Sequence, residues 1–143
     1  MSAVRTTLQR TTVAEAMTGG VISCAADATV ADVARLMAAY RVHAVAVCRT
    51  DGEAQIWAFV SDAEILAAVG IAAFEDLTAG AIAGTEPLTV DAGDTLAAAA
   101  GLLSEHQCSH AVVMRDGAPA GVVSSLDIVR HIGAAEGWPP ARP

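Results

Sequence analysis

Two short motifs in this chain place a carboxylate three residues after a serine. Ser124 precedes Asp127, and Ser61 precedes Glu64. Each motif follows an apolar segment and opens a helical pattern, so one interpretation is a capping box that satisfies the backbone N–H groups of the first turn. The same geometry suits a nucleotide, because a helix N-terminus attracts phosphate and a carboxylate can accept both hydroxyls of a ribose. The two interpretations are compatible.

The two motifs are not equivalent. Glu64 is one methylene group longer than Asp127, so it reaches back to cap its own helix more easily. Ala58 stands where the second motif has Gly121, a residue type that lets a backbone approach a ligand closely. We therefore expect the second motif to bind a ligand and the first to be degenerate or altered in its preference.

Other chemistries lack a matching pattern. The three cysteines, Cys24, Cys48 and Cys108, have no CxxC spacing, which favours reduced, buried thiols over disulfides or a zinc site. We find no nucleophile elbow, P-loop or HExxH motif, so we expect neither catalytic residues nor an enzyme.

Charge and hydropathy disfavour two further classes of function. The net charge is −8 and the basic residues, all of them Arg, are scattered, which disfavours nucleic-acid binding. The apolar runs are shorter than the roughly 18 residues of a membrane span, and Arg5 and Arg10 are followed by no apolar signal segment. We therefore expect a cytoplasmic protein without a membrane partner.

An internal repeat organises the elements around these motifs. Residues 29–49 align with residues 95–115, and Ser61 aligns with Ser124 after a shorter connection in the second copy. Apolar spacings of three and four, β-rich runs and an Asp-Gly turn at 116–117 predict the order β-α-β-β-α in each copy. In the first copy, the equivalent turn is Asp51-Gly52. The predicted fold class is therefore α/β (α+β).

The repeat also sets the expected boundaries. We expect a loose N-terminal arm over 1–10, repeats over 11–70 and 71–133, and a disordered tail over 134–143. Each repeat is near the lower size limit for an independent core, so the two should pack as a pseudo-two-fold pair. Apolar helix surface left over after that packing predicts a homodimer.

This ordered set of motifs resembles the cystathionine-β-synthase (CBS) domain, and the tandem pair resembles a Bateman module. The resemblance rests on Val13–Met17, the Thr-apolar helix starts at Thr29 and Thr95, and the motif from Gly121 to Asp127, and it covers about residues 11–133. It implies two CBS repeats that bind an adenosyl ligand, AMP, ADP, ATP or S-adenosylmethionine, in the groove between them.

The resemblance also implies which residues line the site. They come from both copies: Ser124, Asp127, Val122, Thr89 and His110 in the second, and Ser61, Glu64 and His43 in the first. The family often has Arg where this chain has Ala44 and His110, and it usually has Pro where this chain has Ala46 and Val112. The histidines can equally be ordinary half-exposed strand residues.

Two functions follow from the resemblance. The first is a regulatory protein without an obligatory cofactor or metal, which senses energy or metabolite state for a separate, unidentified partner. The alternative is a ligand-free structural dimerisation module. The sequence leaves open the ligand, the number of working sites, and whether the dimer is parallel or antiparallel.

Overall fold

The computed structural model describes residues 2–48, 56–84, 87–137 and 139. Its helices and strands are α1 (Ala3–Arg10), α2 (Val13–Ala16), β1 (Thr18–Gly19), β2 (Ser23–Ala25), α3 (Val30–Tyr40), β3 (Ala44–Cys48), β4 (Ile56–Ser61), α4 (Asp62–Ala68), α5 (Ala79–Ile82), β5 (Leu88–Asp91), α6 (Leu96–Glu105), β6 (His110–Arg115), β7 (Ala118–Ser124) and α7 (Ser125–Gly133), with a 3-10 turn at Phe74–Asp76. This mixture of helices and sheets confirms the predicted fold class.

The chain forms two compact units that exchange their first elements. Unit 1 contains Met1–Gly20 together with Leu88–Pro143, and unit 2 contains Val21–Pro87. The helix and strand that open the first repeat therefore pack with the second repeat. The compact units thus differ in composition from the repeats as they follow one another in the sequence.

The two sheets share one topology. In unit 2, β2 pairs in parallel with β3, and β3 pairs antiparallel with β4; in unit 1, β5, β6 and β7 repeat this arrangement. The register shifts after Val47 in one sheet and after Val113, its repeat equivalent, in the other. Unit 1 adds β1 antiparallel to β7, which gives the strand order β1-β7-β6-β5.

Local sequence signals explain how the elements begin and end. The capping box predicted for α3 is present, because the backbone N–H of Asp32 donates to Thr29 Oγ1 at 3.1 Å and that of Thr29 donates to Asp32 Oδ2 at 3.4 Å. In the β6–β7 hairpin, Asp116 and Gly117 both have positive φ, 53° and 79°, as a type I′ turn requires. The equivalent turn at 51–52 lies outside the described residues.

Each unit has its own apolar core. The core of unit 1 comprises Val13, Val90, Ala92, Leu96, Ala99, Leu103, Ala111, Val113, Val123 and Ile128. The core of unit 2 comprises Val33, Val45, Val47, Val60 and Ala79. The three cysteines were expected to be buried, but all three are half-buried thiols; Cys24 and Cys108 pack at the edges of the two cores.

The chain termini differ from expectation. Residues 3–10 form helix α1 instead of a loose arm; Ser2 caps the helix, and Leu8 packs against the core of unit 1. The expected disordered tail begins with an ordered contact, because Ala135 is buried. Apolar residues at helical spacing give the arm a surface to bury. Residues 138 and 140–143 of the tail lie outside the described part of the chain.

Candidate functional site

The first turn of α7 is organised by a complete capping box. The Ser124 hydroxyl accepts a hydrogen bond from the backbone N–H of Asp127 at 3.1 Å. In return, Asp127 Oδ2 accepts from the backbone N–H of Ser124 at 2.8 Å. The Asp127 side chain is only 12% exposed. This exchange fixes the carboxylate at the helix N-terminus, where the backbone dipoles favour negative charge.

The second oxygen of Asp127 is differently placed. Oδ1 lies 3.9 Å from a guanidinium nitrogen of Arg130, at the outer limit of an ion pair. His131 Nδ1 contacts the Asp127 carbonyl oxygen at 3.0 Å, inside the same helix. Oδ2 is committed to the cap, whereas the described contact of Oδ1 is this long one, so Oδ1 is the better placed of the two oxygens to accept a ligand hydroxyl.

The predicted site residues of the second copy lie on one face of the sheet in unit 1. Thr89 pairs with Val112, and Val112 pairs with Val122, so the three form a row across β5, β6 and β7. His110 pairs with Ser124 two positions further along the same strands. Side chains two residues apart on a strand point to the same face. All of these positions therefore share the face opposite Ala111, Val113 and Val123 of the core.

The row of Thr89, Val112 and Val122 continues onto β1 at Thr18, which the sequence motifs did not indicate. Thr18, on β1, pairs with Val122 and is exposed. A two-residue strand has no alternation from which to recognise it. The available signal was its alignment with Gly84, at the same place in the other repeat.

A serine next to His110 connects the strand and helix ends. The backbone carbonyl of Ser109 accepts from the N–H of Ser125, the first residue of α7, at 2.8 Å. The Ser109 hydroxyl lies 2.8 Å from His110 Nδ1. These contacts hold the imidazole near the start of the helix, on the half-buried first residue of β6.

A glycine is required at residue 121 by the packing of the chain itself, whereas we expected it to make room for a ligand. A Cβ at this position would lie 2.4 Å from the Thr18 carbonyl oxygen and 2.9 Å from the Met17 sulfur. The backbone that approaches this glycine closely is thus the chain's own strand β1. The residue at the equivalent position in unit 2, Ala58, is buried.

The predicted residues of the first copy lie in unit 2. Glu64 Oε2 accepts from the backbone N–H of Ser61 at 3.2 Å and also contacts the Ser61 hydroxyl. His43 lies one residue before β3, where its Nδ1 is 3.5 Å from Asp62 Oδ2. Ala44, rather than His43, pairs with Ser61 and thus occupies the position of His110. Unit 2 therefore has no imidazole at the equivalent strand position.

Three other properties concern the described residues. Burial, followed by the nearby Cys48 and Asp32, raises the pKa of the Cys24 thiol. No cluster of three or more His, Cys, Asp or Glu side chains among the described residues could hold a metal ion. None of the described helices is long and apolar enough to cross a membrane.

Comparison with protein families gives two matches along the chain. The model of the CBS domain matches residues 13–71 and again residues 79–134. No match is found among curated protein sequences.

Solved structures share the fold. A CBS-domain protein from Agrobacterium tumefaciens is 18% identical with a TM-score of 0.75; the match covers 85% of this chain and 92% of that chain. The CBS domain of a bacterial CNNM/CorC family Mg²⁺ transporter in complex with ATP is 22% identical with a TM-score of 0.75, over 90% of this chain and 92% of that chain. A CBS domain protein from Pyrobaculum aerophilum complexed with AMP is 29% identical with a TM-score of 0.73, over 87% of this chain and 99% of that chain.

Proposed function

The chain belongs to the CBS domain family, which it matches in two tandem copies, and we propose that it is a regulatory protein that binds an adenosyl ligand at unit 1. The ligand is AMP, ADP, ATP or S-adenosylmethionine. Occupancy reports energy or metabolite state to a separate protein partner. The similar structures in complex with AMP and ATP support this class of ligand.

One observation carries the proposal: the sheet face of unit 1 meets the N-terminus of α7. Thr89 and Val122 lie in one row of that face, and His110 and Ser124 lie in the next row along the strands. Asp127 is fixed at the helix start beside them. An apolar surface, a helix N-terminus and an acid are thus assembled in one compact unit.

Each part of this face suits one part of an adenosyl ligand. The half-buried Val122 side chain offers apolar surface to a flat base. Asp127 Oδ1 accepts the ribose hydroxyls. The dipole of the nine-residue helix α7 favours a phosphate or carboxylate near its N-terminus, and His110 adds positive charge when it is protonated.

The regulatory output requires an assembly, which we propose to be a homodimer. Helix α4 exposes Leu66 at 72%, and α7 exposes Val129, its repeat equivalent, at 57%. Val69 and Leu126 add to these two exposed apolar surfaces. Burial of such side chains against a second copy removes them from water. Ligand binding then acts by favouring one of two packings of the assembly.

A thermal-shift screen with AMP, ADP, ATP, NAD and S-adenosylmethionine tests the ligand class. A ligand at about 100 times its dissociation constant stabilises the folded chain by about 2.7 kcal/mol, which gives a readable increase in Tm. If none of the five compounds raises Tm, the sensor function is wrong and the ligand-free dimerisation module takes its place.

Calorimetric titration of two matched variants then tests the site. Asp127→Asn weakens the charge-assisted acceptor and should lower affinity at least tenfold, which corresponds to about 1.4 kcal/mol. The fold should tolerate this change, because an amide oxygen can still accept from the Ser124 N–H. Glu64→Gln is the control and should leave affinity unchanged. Equal weakening by both variants would contradict the assignment of the site to unit 1.

A further inference from the structure

In unit 2, the acid equivalent to Asp127 lies against a glycine. Glu64 Oε2 is held by the backbone N–H of Ser61 at 3.2 Å, so the side chain is folded back over the start of α4. The other oxygen, Oε1, lies 2.9 Å from the position that a Cβ on Gly84 would occupy. The Gly84 N–H donates to the Phe59 carbonyl oxygen at 2.9 Å, which fixes this glycine beside the end of β4.

In unit 1, the corresponding acid is shorter and the residue that corresponds to the glycine is larger. Asp127 replaces Glu64, and Thr18, which aligns with Gly84, pairs with Val122 on β7. The longer acid thus occurs with a residue that has no side chain, and the shorter acid occurs with a residue that has one. In unit 2, where the two residues are close, this complementarity indicates that the two positions are sterically coupled.

We propose that Glu64 and Gly84 form a steric pair that closes the first repeat's counterpart of the ligand site, so that the chain takes one adenosyl ligand, at unit 1. One Glu64 oxygen is engaged by Ser61, and the other lies in the space that a side chain at residue 84 would fill. Glu64 is thus directed towards Gly84 and leaves only this second oxygen uncapped. The statement about the ligand rests on the proposed function, whereas the steric pair does not.

A double-mutant cycle on thermal unfolding tests the pair without any ligand. Gly84→Ala in the otherwise unchanged protein displaces the Glu64 carboxylate from its cap and should lower Tm by about 3 °C. In a Glu64→Asp background, the carboxylate is one methylene shorter. The same Gly84→Ala change should then raise Tm by about 2 °C, because it restricts the unfolded chain.

Gly70→Ala is the matched control for this cycle. Apart from its chain neighbours, no residue comes within 4 Å of a Cβ at Gly70, which is exposed at the end of α4. Gly70→Ala should therefore change Tm equally in both backgrounds. If Gly84→Ala also gives the same Tm change in both backgrounds, there is no steric pair and the proposal is overturned.

Calorimetric titration of the unchanged protein with AMP gives the second measurement. We expect one AMP per chain, and two AMP per chain would overturn the closure of the first repeat. If neither AMP nor the other screened compounds bind, the proposed function fails and the inference about ligand number fails with it. The thermal cycle still decides whether Glu64 and Gly84 are coupled.

Discussion

Replacement of Gly121 by alanine tests how closely β1 packs on β7. The added Cβ would lie 2.4 Å from the Thr18 carbonyl oxygen, whereas ordinary van der Waals contact begins at 3.4 Å. The obstacle is backbone that belongs to a paired strand, so it cannot rotate away as a flexible side chain would. Either β1 or β7 must move by about 1 Å to restore contact.

The magnitude follows from the packing of this strand pair. Overpacking of a buried position costs about 1–3 kcal/mol. Gly121→Ala should therefore lower the free energy of unfolding by about 2 kcal/mol, and Tm by roughly 6 °C for a chain of this length. The Gly20 N–H, which donates to the Ala120 carbonyl oxygen at 3.0 Å, should lose protection against hydrogen exchange.

Gly101→Ala provides a control of identical chemistry. Gly101 is exposed in α6, and no atom beyond the adjacent residues and the backbone of its own helix lies within 4 Å of an added Cβ. Alanine there should raise stability by about 1 kcal/mol, because glycine is a poor helix former. Circular dichroism melts of both variants make the comparison. If Gly121→Ala leaves Tm unchanged or raises it as Gly101→Ala does, the close approach of β1 is wrong.

Three further predictions concern other parts of the chain. Thr29→Ala removes the side-chain cap of α3 and should cost about 1 kcal/mol in thermal melts, whereas Thr29→Ser should cost little; equal losses would contradict the capping role. Light scattering should give twice the 14.4 kDa chain mass for the unchanged protein and a lower mass for Leu66→Glu combined with Val129→Glu; a monomeric unchanged protein would refute the dimer. Because burial raises its pKa, the Cys24 thiol should be alkylated more slowly at pH 7 in the folded chain than in the unfolded chain. Peptide mass spectrometry measures both rates, and equal rates would contradict the effect of burial on this thiol.

Most elements could be predicted from the sequence because each has a local cause. The capping box at Thr29 and Asp32 and the turn at Asp116-Gly117 depend only on neighbouring residues. The exchange of first elements between repeats could not be predicted. A helix of one turn, such as Val13–Ala16, offers too little apolar pattern to indicate which sheet it packs against.

The candidate site divides in the same way. The pairing of Ser124 with Asp127 could be predicted because a capping box is a pattern of residues three positions apart. The position of Thr18 beside Val122 depends on a pairing between the two ends of the chain, which no local pattern encodes. The coupling of Glu64 to Gly84 is likewise a contact between distant residues. Its only sequence signal is the paired difference from Asp127 and Thr18.

Because the repeats exchange their first elements, the two units should fold at different times during translation. Unit 2 is a contiguous segment, Val21–Pro87, so all of its partners have been synthesised once the ribosome has passed residue 87. Residues 1–20 emerge first but must wait for the strands that begin at Leu88. Contacts between residues so far apart in sequence slow folding, because a long loop must close before they form. Unit 2 should therefore fold first during translation, and unit 1 should form last, when its two segments meet.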